Sequence, residues 1–231
     1  MSISTNYARI RREIPGYVTI VVSCKTRTAE ETKEVIAAGA TDIGENYVQE
    51  AGQMYSALKK DATKVRWHMI GNLQTNKINK ALRIFDVIQT VDSLEKAVAI
   101  DKRLERAGKQ IVPVYVEINI GSEDSKAGIK PAEHEPFEEY MEKLVRDISK
   151  LEHTRVEGLM TMGPRFGDPE DAKPYFRRTR TIFERIKALD LPNVNMMYLS
   201  MGMTNSYKVA IEEESNMVRL GTAIFGERNG R

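Results

Sequence analysis

YVTIVVSCK, residues 17–25, is the stretch on which the architecture turns. Its first six residues are β-branched or aromatic, the composition of a strand covered on both faces. The run then ends in a lysine. Seven more runs of this kind follow: TDIG at 41–44, VRWHMIG at 65–71, FDVIQTV at 85–91, QIVPVYVEINI at 110–120, TRVEGLMT at 154–161, VNMMYLS at 194–200 and NMVRLG at 216–221. Between them lie segments such as AEETKEVIAAG, SLEKAVAIDKRLERAGK and YFRRTRTIFERIKALD, with apolar residues three and four apart. Strict strand–helix alternation means parallel strands joined by crossover helices. Eight such units in 231 residues point to a closed (β/α)8 barrel of the TIM type rather than an open doubly wound sheet. A sheet with one strand fewer fits the same pattern. No Pro/Gly/Ser-rich linker or internal repeat divides the chain, so residues 1–231 are expected to form one domain. In EHEPFEEYMEKLVRDISK, Phe137, Met141, Leu144, Val145 and Ile148 share one helical face and the charges form the solvated one.

Composition narrows the function classes. Hydrophobic residues make up 41% and charged residues 29%, as in a soluble globular protein. A formal net charge of +2 gives no steering toward nucleic acid or an anionic membrane. One cysteine allows no internal disulfide and suits a reducing compartment. No apolar run is long enough to span a bilayer. The N-terminal MSISTNYARIRREIPG lacks the features of a secretory signal and reads as a short amphipathic helix closed by Pro15-Gly16, so a cytoplasmic location is expected. His68, His134 and His153 are widely separated, and no metal-ligand spacing, Walker loop, GxGxxG fingerprint or nucleic-acid-binding module is present.

Strand parity assigns directions. Ile20, Val22 and Cys24 form the apolar, helix-facing set, which turns Ser23 and Lys25 into the barrel. By the same test His68, Tyr115, Glu117, Asn119 and Arg219 point inward. Polar residues therefore gather toward the C-terminal strand ends, where barrels of this kind place their active sites. The last two strands run into LSMGMTNSY and VRLGTAIFG. There Ser200, Gly202, Thr204, Gly221 and Thr222 supply hydroxyls and unobstructed N–H groups. These are turn glycines and helix caps by one reading and a phosphate seat by the other. Their position after strands seven and eight favours the seat.

An amine beside a phosphate seat suggests a Schiff base with a phosphorylated carbonyl compound, the amine being activated by partial burial or by Arg219. A salt-bridged lysine at the barrel rim is the plainer alternative. Two carbonyl compounds compete: permanently bound pyridoxal 5′-phosphate (PLP), or a sugar phosphate held transiently as in a class I aldolase.

The segments VVSCKT, GENYVQE, WHMIGNLQTNK, EINIGSEDSKAGI and VNMMYLSMGMTNSYKVAIEEESNMVRLGTAIFGER, in this order, together resemble the YggS/PROSC family of PLP homeostasis proteins. That family resembles the PLP-binding barrel of alanine racemase, a fold-type III arrangement. The resemblance covers nearly the whole chain. It implies that Lys25 carries PLP as an internal aldimine. Ser200, Gly202, Gly221 and Thr222 would hold the phosphate, and Arg219 would face the pyridine nitrogen. Asn46 and His68 match family positions lining the pocket, with Met160 packing beside the ring. His68 is expected to be a hydrogen-bonded strand residue rather than a proton-transfer group.

A guanidinium cannot accept the pyridinium proton, so carbanion stabilisation should be weak. Racemisation also needs a second base, which alanine racemase draws from a second domain, and this chain ends ten residues after Gly221. The resemblance therefore implies a PLP carrier or regulator of vitamin B6 homeostasis, with PLP-dependent apoenzymes as candidate recipients. A low-activity amino-acid racemase and a Schiff-base aldolase stand as alternatives. Without the racemase-type second domain, a monomer is expected. Cys24 stands where the family usually has a smaller residue, and parity makes it a core thiol. TRT follows the lysine where TKP is common, and the segment before strand one is shorter than usual. Lys126, in SEDSKAG, is read as a solvated loop lysine, with a part in PLP transfer as the alternative.

Overall fold

Eight parallel strands follow one another around a closed barrel in chain order, and β8 pairs back onto β1. The computed structural model describes residues 2–108, 111–134, 136–163 and 167–227. The strands are β1 (Thr19–Ser23), β2 (Asp42–Glu45), β3 (Arg66–Met69), β4 (Val87–Val91), β5 (Val112–Ile118), β6 (Thr154–Thr161), β7 (Val194–Met201) and β8 (Met217–Leu220). The helices are α1 (Ile3–Glu13), α2 (Ala29–Ala37), α3 (Val48–Leu58), α4 (Ile78–Ala81), α5 (Leu94–Arg106), α6 (Phe137–Ile148), α7 (Lys173–Lys187), α8 (Tyr207–Glu212) and α9 (Thr222–Phe225). Each expected strand is found. Most are shorter than expected because turn hydrogen bonds claim their ends. Val18 N–H donates to the Pro15 carbonyl, so β1 starts only at Thr19. The expected start of β5 at Gln110 lies outside the described residues.

Sequence sets the helix ends. The Ser2 hydroxyl accepts from Thr5 N–H to start α1, and Thr28 and Glu31 form a reciprocal capping box at α2. The Arg11 side chain closes α1 by donating to the carbonyls of Ile14, Pro15 and Val18. In α6 the buried residues are Phe137, Met141, Leu144, Val145 and Ile148, the face read from the sequence.

Apolar packing forms two shells. The outer one lies between strands and helices and includes Ile20, Val22, Cys24, Trp67, Met69, Val218 and Leu220. The inner one fills the barrel with Val21, Ile70, Val87, Tyr115, Met160 and Met217. This is the packed interior expected of eight strands, not a pore. Gly202, in the left-handed region at φ +96, leads from β7 toward α8. A Cβ there would stand 2.7 Å from Ala210 Cβ, so only glycine allows this turn to lie against α8.

Two carboxyls are buried without full hydrogen bonding. Glu45, 1% exposed at the end of β2, has no partner for Oε2, and Glu117, on the inner face of β5, has none for its own Oε2. Burial, aided by Glu50, pushes Glu45 up to about 8; burial, aided by Asp92, pushes Glu117 up to about 7. Both pKa values lie above the unfolded value. Their contribution to stability is therefore complete below about pH 4.5 and is lost as pH rises through 7 and 8. Thermal unfolding should occur at lower temperature at pH 9 than at pH 6, and Glu45→Gln should reduce that drop by at least about 3 °C. A Gln variant with an unchanged pH slope would contradict the assignment.

Candidate functional site

A cavity of about 510 Å³ opens at the C-terminal end of the barrel. One wall comes from β1 and the turn after it, where Ser23, Lys25 and Arg27 all face the cavity. Thr26 between them sits at φ +63, which bends the chain while keeping that alternation. Lys25 is half-buried, and its ammonium nitrogen lies 5.2 Å from the centre of the Tyr47 ring. No carboxylate pairs with it among the described residues. Arg27, in contrast, is tied down: it donates to the Gly226 carbonyl at 2.8 Å and lies over the Phe225 ring.

Asn46 enters from the end of β2. Gly71, after β3, passes so close to the Asn46 backbone that any Cβ there would overlap it. Ile70 and Met162 give the cavity its apolar side. Thr204, Asn205, Gly221 and Thr222, from the ends of β7 and β8, complete the wall, Gly221 lying beside Ser23 on the paired strand β1. Thr204 Oγ1 accepts from Ala223 N–H at 3.2 Å, which ties the β7 loop to the start of α9. The backbone N–H groups of Thr204 and Asn205 have no partner among the described residues.

Arg219, 5% exposed, reaches the cavity from the barrel interior. Its Nη1 donates to the Ser200 carbonyl at 2.8 Å and to Ser200 Oγ at 2.7 Å, and its Nη2 donates to the Thr161 carbonyl at 2.7 Å. Charge-assisted bonds of this kind are worth about 1.5–3 kcal/mol each, so three offset a desolvation penalty of several kcal/mol. Burial lowers its pKa to about 10, which leaves it cationic at neutral pH. Three of the five guanidinium N–H groups are used, and the other two have no partner among the described residues.

Of the residues singled out from sequence, Lys25, Asn46, Arg219, Gly221 and Thr222 line the cavity. His68, Met160 and Ser200 lie below it, each fully buried. His68 bridges Asp42 and Gln89, and Ser200 bonds Gln89 and Arg219. Gly202 shapes the loop that carries Thr204 and is not itself in the wall. The wall instead meets Ile70 and Met162, two residues beyond His68 and Met160 on the same faces. Parity carried one pleat further would have found them, and Arg27 as well. Lys126 is not a solvated loop lysine: its amine bonds Glu123 at 2.6 Å and the Gly163 carbonyl at 2.5 Å. Cys24 is fully buried, and burial with the nearby Glu45 pushes its thiol well above the ordinary range.

The wall thus presents cations, hydroxyls and amide donors, with no carboxylate or imidazole among the described residues. It is built to hold an anion and a hydrogen-bond acceptor. Its one candidate nucleophile is the Lys25 amine.

Residues 1–229 match the model of the alanine racemase N-terminal domain family. The pyridoxal phosphate homeostasis protein of Aquifex aeolicus is 37% identical over 204 residues, 88% of this chain and 84% of its own. That of Pasteurella multocida is 34% identical over 99% of each chain. Among solved structures, PipY of Synechococcus elongatus with PLP bound superposes with a TM-score of 0.86 at 28% identity, covering 97% of this chain and all of PipY. An alanine racemase of Clostridium difficile, 15% identical, shares the fold with a TM-score of 0.76 over 99% of this chain but only 56% of its own. The chain belongs to the alanine racemase N-terminal domain family and, within it, to the pyridoxal phosphate homeostasis proteins.

Proposed function

We propose that this chain binds PLP at the barrel mouth, with Lys25 as its covalent attachment point, and buffers or carries the cofactor without turning over a substrate. One observation carries the reading. Among the described residues, an amine free of any carboxylate partner shares one cavity with a buried guanidinium that has two unclaimed N–H groups and with a hydroxyl-rich double loop. Those three features suit an aldehyde, a ring nitrogen and a phosphate. When bound, PLP supplies an electron-withdrawing ring in conjugation with the lysine nitrogen.

The chain's own residues restrict the chemistry open to a bound cofactor. Arg219 offers hydrogens and cannot take one, so it holds a ring nitrogen in its unprotonated, weakly electron-withdrawing form. Thr204, Asn205 and Thr222 would offer hydroxyl and amide donors to a phosphate, and Ile70 and Met162 supply the apolar surface that would keep water from a bound ring. Racemisation needs two bases and an aldolase needs an acid/base partner for its amine. Lys25 has no such companion in the wall among the described residues, which favours holding over turnover. The relatives named as homeostasis proteins support the same reading. We place the chain in the cytoplasm as a monomer, with PLP-dependent apoenzymes as recipients. No helix of the described residues is long and apolar enough to cross a membrane.

Borohydride reduction of the PLP-loaded protein followed by peptide mapping should place the adduct on Lys25, and Lys25→Ala should lose both the visible band and the trapped product. A coloured, trappable alanine variant would defeat the proposal. Thr204→Val and Thr222→Val should each weaken PLP binding about three- to tenfold while leaving unphosphorylated pyridoxal unaffected. Equal losses for both vitamers would remove the phosphate from that loop. Incubating the loaded protein with single L-amino acids should leave optical rotation unchanged, whereas sustained decay would mark a racemase.

A further inference from the structure

Beneath the cavity a line of buried polar side chains runs the depth of the barrel. Arg219 donates to Ser200 Oγ at 2.7 Å, and Ser200 Oγ lies 2.7 Å from Gln89 Oε1. Gln89 Nε2 lies 2.9 Å from His68 Nδ1, and His68 Nε2 lies 2.8 Å from Asp42 Oδ1. His68, Gln89 and Ser200 are all fully buried, and Asp42 begins β2 at the opposite end of the barrel from the cavity.

With the Gln89 amide lying Nε2 toward His68 and Met217 Sδ at 3.3 Å, every proton in this line has one direction. A guanidinium only donates, so Ser200 Oγ accepts from it and must send its own hydrogen to Gln89 Oε1. The Gln89 amide is thereby oriented with its NH2 toward His68, making Nδ1 an acceptor. His68 must then carry its hydrogen on Nε2 and donate to Asp42. Asp42 is held as a carboxylate by His68 and by the Thr41 hydroxyl at 2.7 Å, which outweigh the effect of its burial. Burial keeps His68 neutral. Other charged or titratable groups face the line: Arg66 and Asp86 act on His68, Glu117 acts on Arg219, and Tyr115 packs inside the barrel beside it.

Resting on the PLP reading of the cavity, we propose that Asp42, His68, Gln89 and Ser200 are positioning residues. They form a one-way hydrogen-bond relay that adds the Asp42 charge at the far rim to the influence of Glu117 on Arg219 and thereby tunes the electrostatics at the cofactor ring. The design answers a conflict. A carboxylate touching Arg219 would occupy the N–H groups needed by a ring nitrogen, while a guanidinium with no countercharge would be costly to bury. Aligned dipoles polarise one another, so the distant charge is felt at the guanidinium without crowding it. The relay moves no proton along its length, because the guanidinium does not release one.

Two arms test this. In the protein free of PLP, 15N NMR of labelled histidine should show His68 neutral and protonated at Nε2 from about pH 6 to 8, where free histidine titrates. A cationic or Nδ1-protonated His68 overturns the relay's direction. In the PLP-loaded protein, Asp42→Asn removes the charge at the far end of the relay. It should lower the pH midpoint of the visible absorbance by about half a unit, since uncompensated positive charge disfavours protonation nearby. It should also weaken PLP retention about tenfold. Gln89→Glu brings a carboxylate closer to Arg219 and should raise the midpoint instead. Opposite shifts from two buried variants cannot come from loosened packing alone. Unmoved midpoints, or shifts in one direction, overturn the proposal. If the chain takes up no PLP, the proposed function fails by itself and the histidine arm alone decides the relay.

Discussion

A buried guanidinium that touches no carboxylate of the described residues governs this barrel. Arg219 is held by two backbone carbonyls and one hydroxyl, from the neighbouring strand β7 and from β6 beyond it. Those acceptors come together only when β6, β7 and β8 are in register, which brings the Thr161 carbonyl and the inward-facing Ser200 to the same guanidinium. Closure and cofactor chemistry are thus one problem: the fold that buries the cation also dictates which of its hydrogens remain for a ligand. Had a carboxylate sat against Arg219, the barrel would have gained an ordinary buried ion pair and lost the two N–H groups left open toward the cavity.

The architecture was legible because strand composition and strand parity are local properties. In β1 and β8 the apolar, helix-facing residues identified themselves, and Lys25 and Arg219 turned inward by subtraction. Depth was less legible. Parity tells which face a residue occupies but not how far along the axis it lies, because strand tilt and the register shifts in β5 and β6 are set by the whole barrel. His68 and Met160 therefore read as cavity residues although the cavity begins two residues later. Asp42 and Gln89 carried no sequence signal, since a short strand beginning TDIG and a polar residue in VIQTV look unremarkable until closure brings them together. Lys126 read as solvated because its partners, Glu123 and the Gly163 carbonyl, come from two different loops.

The site is notable for what its wall is made of. Lys25 faces hydroxyls, amides and cations rather than acids and bases, and Glu117, the nearest buried carboxyl to Arg219 inside the barrel, has no edge in the cavity. A lysine so placed can form a reversible bond and has little help in doing more. Retention, rather than chemistry performed on a second molecule, is what such surroundings favour.

The order in which the barrel is assembled has a consequence for timing. Lys25 belongs to the first strand, whereas Arg219, Gly221 and Thr222 belong to the last, and β8 is the piece that joins β7 to β1. Asn6 in α1 also donates to the Ile224 carbonyl in α9, tying early residues to late ones. A nascent chain on the ribosome thus displays Lys25 long before the residues that wall it in. The cavity around Lys25 is therefore complete only once the closing strand has left the ribosome, so the last residues made decide when the site exists.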